Sequence, residues 1–256
     1  MLGKFLEVMT WLEAEKALKL MSAVLLPIGA RTKQHGLHLP LNTDWLQAEY
    51  LTHQIVSRYP VVALPTLPYG YYPAFLEYPG SVSIRMSAFR DTVIDICLSL
   101  KRHGGQRFYV LNTGISTNWA LESARLALGD AGIIMEYTDL TAIEPTDLRI
   151  PITQLRGTHA DEIETSTMLY MAPEVVRIDR AVPELSPRKG AGPFTRTPNT
   201  SSGIYSSTGA WGDPTLATRD KGELLTETLI ENILNQLKDL CSDQFKPHPP
   251  RERYLP

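Results

Sequence analysis

AVLLPIGARTKQHGLHLPLNTDW, residues 23–45, is the stretch that decides the fold. Ala23 to Ile28 is a short apolar run without alternation, the pattern of a strand covered on both faces. Gly29 ends it. Lys33, Gln34, His35 and His38 follow in a polar turn, and a helical pattern begins at Asp44 (DWLQAEYLTHQIVSR, 44–58). Thr43 is its expected N-cap, and Pro60 lies just past its end. Strand, polar turn and helix in that order begin a βαβ unit.

Outward from this stretch the alternation recurs. Strands are expected at Val61 to Leu67, Phe108 to Asn112 and Ile133 to Tyr137, each bounded by Pro, Gly, Asn or Thr. Helices are expected at Met86 to Arg102, Asn118 to Leu128, Asp161 to Met171 and Lys221 to Leu240. The class this predicts is α/β with a mainly parallel sheet. The length of 256 residues, with 43% hydrophobic and 21% charged, suits one domain over 1–256. Residues 181–213 show no periodicity but contain Phe194, Tyr205 and Trp211, so they are expected to form a lid or a subunit-interface arm. The Pro-rich stretch 245–256 is expected as an extended tail.

A net charge of −3 leaves no basic footprint for nucleic acid or an anionic membrane surface. No apolar run approaches the roughly 20 residues of a membrane span, and the N-terminus lacks a signal-peptide core. Cys97 and Cys241 have neither metal nor disulfide spacing and read as buried free thiols, consistent with a reducing cytoplasm.

Three segments concentrate polar chemistry at strand ends, where parallel sheets gather ligand sites. The first holds His35, His38 and Asp44, a donor set compatible with Zn or Mn if the turn folds them together, or else a surface loop with Asp44 capping a helix. The second, THADEIETS (158–166), opens a helix. Asp161 and Glu164 share a helix face there, and His159 precedes it. Its acidic residues also complement the helix dipole. The third, LNTGISTNWA (111–120), offers Asn112, Thr113, Ser116 and Thr117 around a turn into a helix, either as anion or carbonyl binders or as helix caps.

In order along the chain, LPIGARTKQHGLHLPLNTD (26–44), PYGYYPAFLEYPGSVSI (68–84), YVLNTGISTN (109–118), GTHADEIETSTML (157–169) and GDPTLATRDKGELL (212–225) resemble the characteristic segments of the creatininase (creatinine amidohydrolase) family. The resemblance spans about residues 20–240, and the ordered set is more specific than any single segment. It implies a three-layer αβα sandwich, commonly a homohexamer. The implied reaction is hydrolysis of a non-peptide amide or lactam C–N bond in a small molecule, or the reverse condensation, at a two-metal Zn or Mn site. Carried over by position, His35 matches a metal-binding histidine and Asp44 the carboxylate that bridges the metals. His159 matches a proton-shuttling histidine and Glu164 the glutamate of the ETS segment.

Other positions depart from the family pattern. A usual ligand glutamate falls on Lys33, a histidine on Ile115, the following glutamate on Thr117, and the histidine before the PG turn on Glu77. Of the five usual metal positions only His35 and Asp44 keep a ligand, so a standard two-metal centre is not expected. Three readings follow. A divalent metal, Zn or Mn, sits on His35 and Asp44, with His159, Glu164 and Lys33 catalytic and Tyr69, Glu77, Asn112, Thr113, Ser116 and Asp161 binding substrate. Alternatively, a metal-free enzyme uses Lys33, His35 and His159 as its acid/base set. The third is a catalytically silent binding or structural subunit.

Overall fold

The computed structural model describes residues 2–142 and 152–254. Five parallel strands form the central sheet: β1 (Lys4–Phe5), β2 (Ala23–Ile28), β3 (Val61–Ala63), β4 (Arg107–Asn112) and β5 (Ile134–Tyr137), in the order β1-β3-β2-β4-β5. Between them run α1 (Trp11–Leu20), α2 (Thr43–Arg58), α3 (Met86–Lys101) and α4 (Asn118–Asp130); α5 (Glu162–Met171) and α6 (Arg219–Leu240) follow. All six residues of β2 are buried. Val24, Leu26 and Ile28 join Phe89, Val93 and Leu121 of α3 and α4 on one face. Ala23 and Leu25 join Leu51, Ile55, Ile230 and Ile233 of α2 and α6 on the other. The result is the three-layer αβα sandwich, with the sheet shielded from water on both sides.

After β2 the chain pairs outward to β3, then returns past β2 to β4. The strand order therefore reverses between β2 and β4, and the crevice at their carboxyl ends is the expected ligand position in such a sheet. The turn leaving β2 carries Lys33 and His35; the turn leaving β4 carries Thr113 and Ser116.

Several expected boundaries move for physical reasons. Strand β3 stops at Ala63 because Pro65 and Pro68 lack the N–H groups a ladder needs. Only a single bridge, Ile28 to Leu67, continues it. Thr43 is the first residue of α2, not its cap: its hydroxyl donates to the Pro40 carbonyl, and Asn42 occupies the cap position. The expected α5 begins one residue later, with Asp161 capping it by accepting from the Glu164 N–H. Cys97 is buried, and burial pushes its thiol up to about 12. Cys241 is only half-buried, at the end of α6.

The 181–213 segment is not irregular throughout. Phe194–Thr195 (β6) and Ile204–Tyr205 (β7) pair in parallel, and bridges tie Glu184 to Gly212 and His159 to Trp211. The 245–256 tail has no regular structure to Arg251 and then docks through a 3-10 turn, Glu252–Tyr254. The Tyr254 hydroxyl meets Asp139 and Asn118, and Arg251 reaches Glu136. Met1 and the last two residues of the expected tail lie outside the described residues. Among the described residues no helix is long and apolar enough to cross a membrane.

Candidate active site

The site is assembled by close backbone contact. A Cβ on Gly29 would collide with the Asp44 carbonyl oxygen, so glycine is what lets the end of β2 meet the start of α2. The Thr113 hydroxyl, at the end of β4, donates to that same carbonyl. Asp44 is thereby fixed where the two strands end. Helix α5 brings Glu164 from the other side, and His159 arrives on the turn before it.

Lys33, His35, Asp44, His159 and Glu164 converge. Lys33 Nζ lies 2.7 Å from Asp44 Oδ2, as an ion pair without the alignment of a directed hydrogen bond. Lys33 is only 5% exposed, and its ammonium stands 5.0 Å from the ring centre of Phe75. His35 Nε2 is 2.8 Å from Asp44 Oδ1 and 3.4 Å from Glu164 Oε1. His159 Nδ1 is 3.6 Å from Glu164 Oε2. The Glu164 carboxylate is oriented by the Ala160 N–H, which donates to Oε2.

The ionisations follow from these contacts. Burial opposes charge on Asp44, but the nearby Lys33 ammonium, then His35 with its hydrogen bond, outweigh it and hold the carboxyl below its usual range. Burial, reinforced by the nearby Lys33 and His35, drives His159 well below an ordinary imidazole, so it is neutral. Burial lifts Asp161 to about 6 against the hydrogen bonds it accepts from Glu164 and Gln154.

The donor set fits one cation. His35 Nδ1 lies 2.8 Å from the Lys33 carbonyl oxygen, and its other nitrogen faces Asp44 and Glu164. A neutral imidazole has only one N–H, so both contacts cannot be satisfied without a second proton or a cation on the Nε2 side. A backbone carbonyl behind a histidine is also the usual support of a metal-binding imidazole. His159 repeats the pattern: Nε2 is 2.9 Å from the Gln34 carbonyl oxygen, leaving Nδ1 toward Glu164. The ligand atoms of His35, His159 and Glu164 all lie within 4.8 Å of one another. A second cation does not fit, because the Lys33 ammonium holds Asp44 Oδ2, and Ile115 and Thr117 offer no strong ligand.

Lys33, Thr113, Ser116, His159, Asp161 and Glu164 line one cavity. Three expected substrate contacts do not. Tyr69 is 48% exposed and outside the cavity. Glu77 points to the 181–213 segment, accepting from the Thr195 hydroxyl and the Arg196 N–H. Asn112 is buried and spent on its own turn: its amide donates to Gly114 and Asn118 and accepts from Thr117. Phe75 and Phe194 flank His159 at 4.4 and 5.4 Å between ring centres, and their place at the site had no sequence signal beyond aromatic character. Gln47 also lines the cavity, one helical turn beyond Asp44, at a position that carries no sequence signal of its own.

His38 lies beside the cluster, hydrogen-bonded to the Thr165 hydroxyl. Burial, then the His35 charge, lowers its pKa to about 4. The fold therefore binds neutral His38, whereas the unfolded chain takes up a proton near the ordinary value of about 6.5. The resulting stability is full above that pH, fades as pH falls, and is gone below about 4, a change of about 2–3 kcal/mol. Urea unfolding of wild type and His38→Gln should therefore show the wild-type advantage shrinking between pH 7.5 and 4.5. Parallel stability curves would show that His38 carries no such linkage.

Comparison with known proteins finds relatives over nearly the whole chain. A family profile, Creatininase (creatinine amidohydrolase), matches residues 7–237. Creatinine amidohydrolase of Pseudomonas putida is 28% identical over 92% of this chain and 96% of its own length. Mycofactocin precursor peptide peptidase of Mycolicibacterium smegmatis is 27% identical over 84% of each chain. A structure of manganese creatininase superposes with a TM-score of 0.73 at 25% identity, covering 96% of this chain and all of that one.

Proposed function

The chain belongs to the creatininase family of amidohydrolases, and from that premise we propose that it hydrolyses a carboxamide or lactam C–N bond of a small molecule with the aid of one divalent cation. The observation that carries this reading is the meeting of His35, Asp44, Glu164, His159 and Lys33, of which Lys33, His159 and Glu164 line one cavity while His35 and Asp44 stand buried behind them.

His35 Nε2, with Asp44 Oδ1 and Glu164 Oε1 each beside it, would hold the cation, Zn or Mn, leaving His159 Nδ1 of the same cluster free for the proton. When bound the cation supplies an acidified water and a polarised carbonyl. The protein's own groups do the rest. Lys33, pinned by Asp44, keeps N–H bonds free to donate to the carbonyl oxygen as negative charge builds there. His159, neutral and held by the Gln34 carbonyl, takes a proton at Nδ1 and returns it to the departing amine. Phe75 and Phe194 exclude water around the imidazole. Thr113 and Ser116 line the cavity wall and contact the substrate. The 181–213 segment, which brings Phe194 to His159, serves as the cover of the site.

Exposed Val8 and Trp11 at the N-terminus, each 80% accessible, support assembly as a homo-oligomer, on the pattern of the hexamer expected from the resemblance. The two unpaired thiols support a reducing, cytoplasmic setting.

The test is elemental mass spectrometry of the purified protein, followed by assays of small amides and lactams. One Zn or Mn per chain is expected, lost in His35→Ala, with turnover abolished by chelation and restored by adding the metal back. Full turnover in thoroughly chelated protein would favour a second reading, which the Lys33–Asp44 pair already supports. In that reading the ammonium alone stabilises the oxyanion, with His159 as base.

A further inference from the structure

The cavity that contains Lys33, His159 and Glu164 extends far beyond them. Its volume is about 940 Å³, at the upper end of what sites for drug-sized ligands enclose. Away from the charged end most of its wall is apolar, with Ile115, Trp119, Leu140 and Phe194 facing the space and Arg188 and Thr141 among its polar exceptions. Ile115 and Leu140 are half-buried and Trp119 is 41% exposed. None of these three belongs to the packed clusters flanking the sheet. They are apolar surface left wet by folding, which a ligand would gain by covering.

The polar end carries unused donors. Gln47 stands three residues after Asp44, on the same face of α2. Its Nε2 is buried and has no hydrogen-bond partner among the described residues. Lys33 Nζ has three N–H bonds and one carboxylate oxygen beside it. Both side chains line the cavity, so both have donors to offer to oxygens of a ligand.

Building on the hydrolytic reading, we propose that the substrate is a carboxamide whose acyl side carries an aryl or long alkyl group. Its carbonyl oxygen accepts from Lys33 and Gln47, and its apolar group lies against Ile115, Trp119 and Leu140. In the reaction the water oxygen bonds to the carbonyl carbon and the C–N bond breaks. The amine leaves with a proton, and the product is an acid that keeps its oxygens in the same polar subsite. Gln47 is thus a specificity-determining residue for the acyl end, and the apolar wall selects for size.

The test uses product-like acids, which are not turned over. 4-Phenylbutanoate and butanoate are titrated calorimetrically into the full-length protein. The phenyl acid is expected to bind roughly ten- to a hundredfold more tightly, with a negative heat-capacity change. Ile115→Ser should narrow that ratio. Gln47→Leu should weaken both acids by a similar factor, roughly tenfold or more. Should Gln47→Leu lower Tm, Gln47→Asn, which withdraws the amide by one methylene, repeats the measurement. Equal affinity for the two acids, no binding of either, or indifference to both Gln47 variants overturns the proposal. Amide turnover is scored separately. Cleavage of short-chain amides with no preference for arylalkyl ones keeps the hydrolytic reading and overturns this one. A binding preference without any cleavage does the reverse.

Discussion

Lys33→Met is expected to destabilise the protein by about 3–5 kcal/mol and to reduce turnover by roughly a hundredfold or more. The stability loss follows from what the substitution leaves behind. Asp44 has no solvent exposure, and among the described residues the Lys33 ammonium and the His35 imidazole are its ion-pair partners. Without the ammonium, a buried carboxylate keeps one imidazole neighbour and must either stay charged in a low-dielectric site or take up a proton. Asp44→Asn alone strands the ammonium instead. The double variant Lys33→Met, Asp44→Asn strands neither, so it should recover most of the stability, as replaced buried ion pairs commonly do. It should recover none of the turnover, because the oxyanion donor and the bridge to His35 are both gone. Urea unfolding of the four proteins, with amide assays alongside, separates the two effects. A single variant within about 1 kcal/mol of wild type, the range of an exposed pair, would mean that Lys33 and Asp44 are not coupled in the folded protein. Lys33→Arg is no substitute for the wild type here, since a planar fork does not fit where a compact point charge sits over Phe75.

The layers of the fold were legible because the strands are buried on both faces and therefore read as continuous apolar runs. Ala23–Ile28 is the clearest, and it sits at the centre of the sheet. Helix α1 was not legible in the same way. Trp11, Leu12 and Leu20 face outward, so the apolar stripe that marks an amphipathic helix is blurred. A start signal was present nonetheless: Thr10 and Glu13 form a reciprocal capping box. At the site, the converging residues came from the turn after β2 and the first turn of α2, and from the turn before α5 and its first turn, where the sequence position fixes the spatial one. Tyr69, Glu77 and Asn112 were placed at the site by their position within a resembling segment, and that does not specify the direction of a side chain. Glu77 turns away to tie down the 181–213 segment, and Asn112 turns inward to close its own loop. Phe194 reaches His159 from well over thirty residues downstream through an aperiodic segment, a contact no local pattern encodes.

His159→Asn and Glu164→Gln are each expected to lower kcat by about a hundred- to ten-thousandfold. The fold should tolerate Glu164→Gln well, since the side chain keeps its shape and an oxygen to accept from the Ala160 N–H. The two losses should not add, because Glu164 faces the same His159 nitrogen that moves the proton. The pH profile distinguishes this arrangement from an ordinary histidine base. A base with the usual imidazole pKa would lose activity as pH falls through about 6.5. Burial, reinforced by the nearby Lys33 and His35, keeps His159 neutral well below that point, so its own acid limb must lie lower. A limb near 6 is expected from Asp161 instead, because burial raises its carboxyl to that value and it lines the same cavity. Protonating Asp161 weakens the acceptor that caps α5 and positions Glu164. Activity should therefore fall as pH drops through about 6 in the wild type, and Asp161→Asn should remove that limb while lowering activity at all pH values. If the limb instead stays near 6 in Asp161→Asn, an ordinary imidazole or another carboxylate controls the reaction, and the assignment of His159 as a buried, neutral base fails.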